Sequence, residues 1–384
     1  MGHHPEEKSN ASKNASFESI LKRRVSRRDI LRGGVSTAAL AMLPSFPLAG
    51  CEEESEPLLL GFEAVQRNNL DRVTVPAGYR ASVLYAFGDP IAAGLPAFGN
   101  TGAEGDFDKR AGDQHDAIAF FGISDDGAHD GARSDRGLLV MNHEQLLDQF
   151  LHADGPTVDA EGRRPKTEVD KELFAHGVSI VEVRKETAGW VYLKDSAFNR
   201  RITGVTPMDI RGPARGSALL ATRFSAAATS ARGTLNNCAH GVTPWGTYLA
   251  CEENWFSYFK RDDDLAARSA ADNALMARYG IGAGARGFSY RSWDTVEGDL
   301  YARFDLTATG ASAVEDFRNE ASQFGYCVEI DPFSTASTPQ KRTALGRFAH
   351  EGAWFGPVRP GEPLVVYMGD DSRFEYIYKF VSTE

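Results

Sequence analysis

One of the chain's four cysteines, Cys238, lies in TLNNCAHGVTPWGTYLACEEN (residues 234–254), between two asparagines and an Ala-His-Gly turn, a short strand ahead of the paired Glu252 and Glu253. A structural thiol ordinarily sits in an apolar run, as Cys251 does in TYLACEE and Cys327 in FGYCVEI. Cys238 sits among polar groups instead. A thiolate is a soft ligand that suits iron, copper or zinc. Hard cations such as calcium take roughly six to eight oxygens, and Glu144, Glu252, Glu253, Asp370, Asp371 and Glu375 are available to supply them. Arg373, within GDDSRFE, offers a planar fork that fits a phosphate oxyanion. On spacing alone, a salt bridge to its acidic neighbours is the plainer reading. The chain shows no zinc-finger or EF-hand spacing, no G-x-S-x-G elbow and no visible catalytic triad.

Apolar runs of strand length must position these groups. They recur at 79–87, 137–142, 177–183, 190–194, 218–222, 247–251, 324–330, 364–369 and 375–381, rich in Val, Ile, Tyr and Phe and punctuated by Gly, Pro, Asp and Asn. Helical patterns are few: a short one over 166–177 and an Ala/Arg-rich one over 264–280 that reads as an insertion. No repeat of fixed period is visible. Several strands nevertheless run straight into acids, as in VMN-His143-Glu144, LAC-Glu252-Glu253, VEI-Asp331 and VYM-Gly369-Asp370-Asp371. Strand ends arranged about an axis can converge at one mouth. Ordinary polar turns would produce the same pattern.

The first fifty residues read as an export signal. Arg27 and Arg28 form a twin arginine, and a mildly apolar stretch from Val35 to Ala49 follows, too short for a comfortable membrane span. It ends in Leu48-Ala49-Gly50-Cys51, which resembles a lipoprotein cleavage site; simple cleavage without a lipid anchor at Cys51 is the competing expectation. Domain boundaries are therefore expected at 1–51 for the signal and 52–384 for the fold. Residues 1–50 hold 8 Lys and Arg and 4 Asp and Glu, leaving 34 against 49, a net of −15. Such acidity argues against nucleic acid binding. Of the three remaining cysteines, a Cys238–Cys251 disulfide would leave Cys327 over.

With these segments in place, the chain resembles the PhoX-type alkaline phosphatase family. The carriers are VPAGYRASVLYAFGDP (75–90), GLLVMNHE (137–144), AHGVSIVEV (175–183), NRRITGVTPMDIRGPARG (199–216), GTLNNCAHGVTPWGTYLACEEN (233–254), RNEASQFGYCVEIDPF (318–333), KRTALGRFAHEGA (341–353) and YMGDDSRFEYIYKFVS (367–382). The resemblance implies an all-β fold, a β-propeller with an α-helical insertion and the active site at its central mouth. It implies exported phosphomonoester hydrolysis with iron and calcium as cofactors and Cys238 as an iron ligand. The further ligands it suggests are Glu144, Glu252, Glu253, Glu320 of RNE, Glu351 of HEG, Asp371 and Glu375, with Arg373 binding phosphate. Cations would neutralise the ester and lower the pKa of water, so no protein nucleophile is needed.

His115, His176 and His240 are expected as hydrogen-bonded loop residues, and His143 and His350 as groups that orient the neighbouring acids. Family members tend towards small residues after the cysteine, whereas Ala239-His240-Gly241 puts a ring there. They also continue past the position of Glu384, so a propeller incomplete at its C-terminus is expected. The partners implied are small phosphate esters and the twin-arginine export machinery, with the protein periplasmic or extracellular and monomeric. A metal-dependent phosphodiesterase and a non-catalytic calcium- or phosphate-binding propeller fragment are the alternative functions.

Overall fold

The computed structural model describes residues 62–383. The twin-arginine segment and Cys51 lie outside the described residues. The chain divides into two compact units, Met1–Ser82 and Val83–Glu384. In the described part of the first, Phe62 meets Tyr79 edge-on with ring centroids 5.6 Å apart. Among the described residues, every strand and helix belongs to the second unit.

Alternating and apolar segments make this unit mostly sheet, and the strands form three sheets among the described residues. The first holds β1 (His115–Gly122), β2 (Arg136–His143), β3 (Gly177–Glu186) and β4 (Gly189–Tyr192), with β5 (Arg200–Ile202) also pairing β3. The second runs in the order β7 (Ser230–Arg232), β6 (Pro207–Arg211), β11 (Gln340–Arg342), β10 (Cys327–Ile330), β9 (Tyr248–Glu252), β8 (Asn237–Val242). Only β11 and β6 in it are parallel. The third is β12 (His350–Phe355), β13 (Val365–Asp370) and β14 (Ile377–Val381).

The sheets pack one on the next. Phe121, Val140 and Ile180 of the first sheet share a core with Tyr248, Ala250 and Val328 of the second. The opposite face of the second sheet, with Leu249, Cys251 and Cys327, meets Ala353, Val366 and Met368 of the third. A strand covered on both faces carries a continuous apolar run, which explains TYLAC. Cys251 and Cys327 stand opposite each other across β9 and β10 with their sulfurs 3.9 Å apart, so the nearest thiol to Cys251 is Cys327. All three described cysteines are free.

The helices are short: α1 (Asp148–Leu151), α2 (Lys166–Ala175), α3 (Ala270–Arg278) and α4 (Asp299–Ala302). Val169 and Leu173 of α2 and Met276 of α3 bury into an aromatic core with Trp255, Tyr258, Trp293 and Phe304. Ser269 caps α3, its hydroxyl accepting from the backbone N–H of Asp272. The expected helix over 264–280 is thus a 3-10 turn at Leu265–Ala267 followed by α3.

Two expected strands do not form. Residues 79–87 run through bends and turns, with Asp89 accepting from the backbone N–H of Ala86 while Tyr85 enters the core beside Met141 and Val181. ALLAT becomes a 3-10 turn at Ala218–Leu220, capped by Ser217. Only part of each run is buried, Tyr85 in the first and Leu220, Ala221 and Thr222 in the second, while Tyr79, Val83 and Leu219 are exposed.

Candidate metal centre

Each sheet has one edge strand at this seam, β1, β8 and β12, and β8 packs against both of the others. Each breaks register once, between His115 and Ile118, between Asn237 and His240, and between Glu351 and Ala353. A bulge re-aims a side chain and blunts an exposed edge. The three interruptions present Asp116, Cys238 and Glu351 to one another: Cys238 Sγ is 3.3 Å from Asp116 Oδ2 and 3.6 Å from Glu351 Oε1. Gly241 permits the approach of β8 to β12, since a Cβ there would stand 1.9 Å from the Ala353 carbonyl oxygen.

A second set of acids follows the second strands. The backbone N–H of Glu144, just past β2, donates to the Gln114 carbonyl at 3.1 Å; that of Glu253, past β9, to Asn236 at 2.9 Å; that of Asp371, past β13, to Ala349 at 3.1 Å. Each accepting residue lies two before Asp116, Cys238 or Glu351. The site is therefore built three times over, a donor on the bulged edge strand and an acid closing the hairpin.

The ligand atoms of Asp116, Glu144 and Cys238 all lie within 4.8 Å of one another. Glu253 and Glu351 both hydrogen-bond through their side chains to Asp371. Like charges this close hold protons. Burial, then the Asp116 carboxylate, pushes Glu144 up to about 7. Burial, then contact with Asp371 and Glu144, pushes Glu253 up to about 8. Glu351 is raised by burial and Asp371. The Cys238 thiol is pushed far above its ordinary value, by burial and then by Glu253 and Asp116. An oxygen-rich cluster with one sulfur that resists its own ionisation is a donor set fitted to cations.

The scaffold beneath it is tied down. Asn142 Nδ2 donates to the carbonyls of Cys238 at 2.6 Å and Ala239 at 3.0 Å, holding the bulge, and its Oδ1 accepts from the Tyr248 hydroxyl at 2.9 Å. The expected loop around Cys238 is thus a bulged strand.

Of the sequence candidates, Glu144, Cys238, Glu253, Glu351 and Asp371 come together. Glu252, Glu320 and Glu375 do not join them. Glu252 is buried, bound by Lys341 Nζ at 2.7 Å and by the backbone N–H groups of Gly325 and Tyr326. Glu320 pairs with buried Arg303 at 2.8 Å. Glu375 pairs with Arg278 at 2.9 Å and accepts from Tyr378. Neighbours on a strand face opposite ways, so of Glu252 and Glu253 only one can face the cluster.

The same alternation turns His143 and His350 inward. His143 Nε2 is 2.9 Å from Ser179 Oγ, and His350 stacks on Phe348 with its Nδ1 3.5 Å from Cys327 Sγ. His115 and His176 are hydrogen-bonded, to Gly112 and to Glu172 and Tyr258, whereas His240 is on β8 and stacks on Tyr248.

Arg373 lies in the turn after Asp371, over the ring of Phe374, whose φ is 70°. Among the described residues no ion pair joins it to the neighbouring acids, and Glu375 is taken by Arg278. Asp116 is the residue that sequence reasoning missed. Its signal is the local match of Gln-His-Asp-Ala (114–117) to Asn-Asn-Cys-Ala (236–239) and Ala-His-Glu-Gly (349–352).

Comparison with known proteins agrees with this architecture. The solved structure of Pseudomonas fluorescens PhoX in complex with vanadate, a transition state analogue, is similar at 35% identity and a TM-score of 0.71, over 84% of this chain and 51% of that one. The chain thus spans about half the length of that relative. No curated protein matches. A sequence profile of the alkaline phosphatase PhoX family matches residues 60–384, and with the likeness in structure this places the chain in the PhoX alkaline phosphatase family.

Proposed function

We propose that this chain carries the metal site of an exported phosphomonoesterase that uses iron and calcium to release phosphate from small organic esters. One observation carries the reading: equivalent positions of three sheets deliver Asp116, Glu144, Cys238, Glu253, Glu351 and Asp371 to one cluster. In the proposal Cys238 holds the soft cation and the carboxylates hold the harder ones. Cys238, Glu144 and Glu253, whose protons burial and crowding hold on, give them up as cations enter. Bound cations supply charge neutralisation for the phosphate and its transition state. Arg373, two residues beyond Asp371, supplies a fork for a phosphate oxygen. Edge strands leading three consecutive sheets to a shared seam support a propeller-like arrangement. The twin arginine supports export.

The test is hydrolysis of a chromogenic phosphomonoester and the matching diester by the chain supplied with calcium and iron, before and after a calcium chelator. Chelator-sensitive turnover of the monoester alone supports the proposal. Preference for the diester, or no turnover from folded, metal-loaded protein, rejects it.

A further inference from the structure

β8 and β12 carry more than ligands. Two residues past Cys238, the His240 ring lies nearly parallel to Tyr248, with centroids 5.2 Å apart and 11° between planes. Tyr248 is wholly buried, and its hydroxyl binds the same Asn142 that holds the Cys238 bulge. His240 is thus fixed to the scaffold of the cluster. Against it stands Trp354, 5.6 Å away at 67°.

Trp354 is 60% exposed. Along β12, Glu351 and Trp354 are both exposed, and the bulge between Glu351 and Ala353 lets residues three apart share that side. With one residue absorbed, the backbone of Trp354 stands about 7 Å along the strand from that of Glu351. Trp245, also exposed, has its Nε1 bound to Glu329 Oε1 at 2.7 Å, whereas no hydrogen bond engages the Trp354 Nε1 among the described residues. A rigid imidazole and an open indole beside a cation cluster make a stacking surface for a planar ring.

We propose that His240 and Trp354 bind the leaving group of phosphomonoesters that carry a planar aromatic ring, aryl phosphates and nucleoside monophosphates, in preference to compact aliphatic esters. This rests on the phosphatase reading above. With phosphate at the cluster, the leaving group extends along β12 to the indole.

The experiment compares kcat/KM for adenosine monophosphate and for glycerol phosphate in the metal-loaded chain and in Trp354→Ala, His240→Ala and Trp354→Phe. Truncating the indole is expected to lower the ratio of aromatic to aliphatic ester about tenfold, with Phe recovering part of it. Equal losses on both esters would overturn the proposal. A second measurement does not depend on turnover. Tryptophan emission is titrated with each ester, and the Trp354→Phe titration is subtracted to isolate Trp354. Quenching by adenosine monophosphate but not glycerol phosphate supports stacking; no quenching overturns it. If Trp354 is quenched while neither ester is hydrolysed, the phosphatase reading fails and the ring-binding ledge stands.

Discussion

Cys238 Sγ lies 3.3 Å from Asp116 Oδ2, and the two residues hold the same place in two different sheets, each on a bulged edge strand. Without a cation the thiol stays protonated and donates to the carboxylate. In the proposed metal-bound state both would serve as ligands.

Replacing Cys238 by Ser should therefore lower iron content more than calcium content. Loss of a partner behind a metal ligand costs about 10–100-fold in affinity, and loss of the ligand itself at least as much. Metal analysis of the purified variant measures it. Unchanged iron would exclude Cys238 as a ligand.

The acids predict a pH dependence with a definite sign. Glu144 and Glu253 have folded values of about 7 and about 8 against an ordinary 4.5. At these two groups the folded, metal-free chain holds more protons than the unfolded one between pH 4.5 and 8. Their contribution to stability is fully present below that window and is lost as pH rises through it. His115, His143, His176, His240 and His350, depressed by burial, act in the opposite sense up to about pH 6.5. Above the histidine range the acids act alone, so thermal unfolding of the metal-free protein should show Tm declining from about pH 7 to about pH 8, with added cations removing the slope. A Tm that climbs over this range would contradict the protonated cluster.

Glu253→Gln should separate stability from binding. Removing one of several crowded carboxylates relieves repulsion, so the metal-free variant should melt higher than the parent at pH 8 while binding cations more weakly. Melting curves with and without calcium test both halves.

Glu252→Gln and Glu320→Gln should behave in the opposite way. Each leaves a buried cation, Lys341 or Arg303, without its carboxylate, at a cost of about 3–5 kcal/mol. Chemical denaturation should show the loss, and the protein that remains folded should keep its metal. Metal loss without loss of stability would return Glu252 or Glu320 to the ligand set.

Asn142→Ala removes both hydrogen bonds that hold the Cys238 bulge and one of the two acceptors of the Tyr248 hydroxyl, leaving it the Ala117 carbonyl at 3.3 Å. Buried groups left unpaired cost about 1–3 kcal/mol each. Cation affinity should fall with stability, because the bulge aims the thiol. Calorimetric titration against the parent decides it.

Composition and local pattern were enough to mark a strand-rich chain with few helices, to place β2, β3, β4, β9, β10, β13 and β14 within a few residues, and to set Cys238 apart from Cys251 and Cys327. β1, β8 and β12, which carry the bulged donors, and the short β5, β6, β7 and β11 were not marked. Local chemistry also singled out the acids at strand ends. Which of two adjacent acids faces the cluster was not legible, because Glu252 and Glu253 are chemically equal in a string of letters. Alternation along β9 and the position of Lys341, 89 residues away, separate them. Asp116 was hidden for a related reason. The paired donors are 28, 15 and 20 residues apart in the three hairpins, so unequal loops erase any period in the sequence. Beyond the four-residue match around each donor, the repeat is carried by hydrogen bonds, from Glu144, Glu253 and Asp371 back to Gln114, Asn236 and Ala349. The sequence by itself determined the ligand chemistry and the strands that run into the closing acids, β2, β9 and β13. The tertiary structure decided which donors meet, because bulges and burial on the far side of each strand set the direction of a side chain, and neither is a property of a residue and its neighbours in the chain.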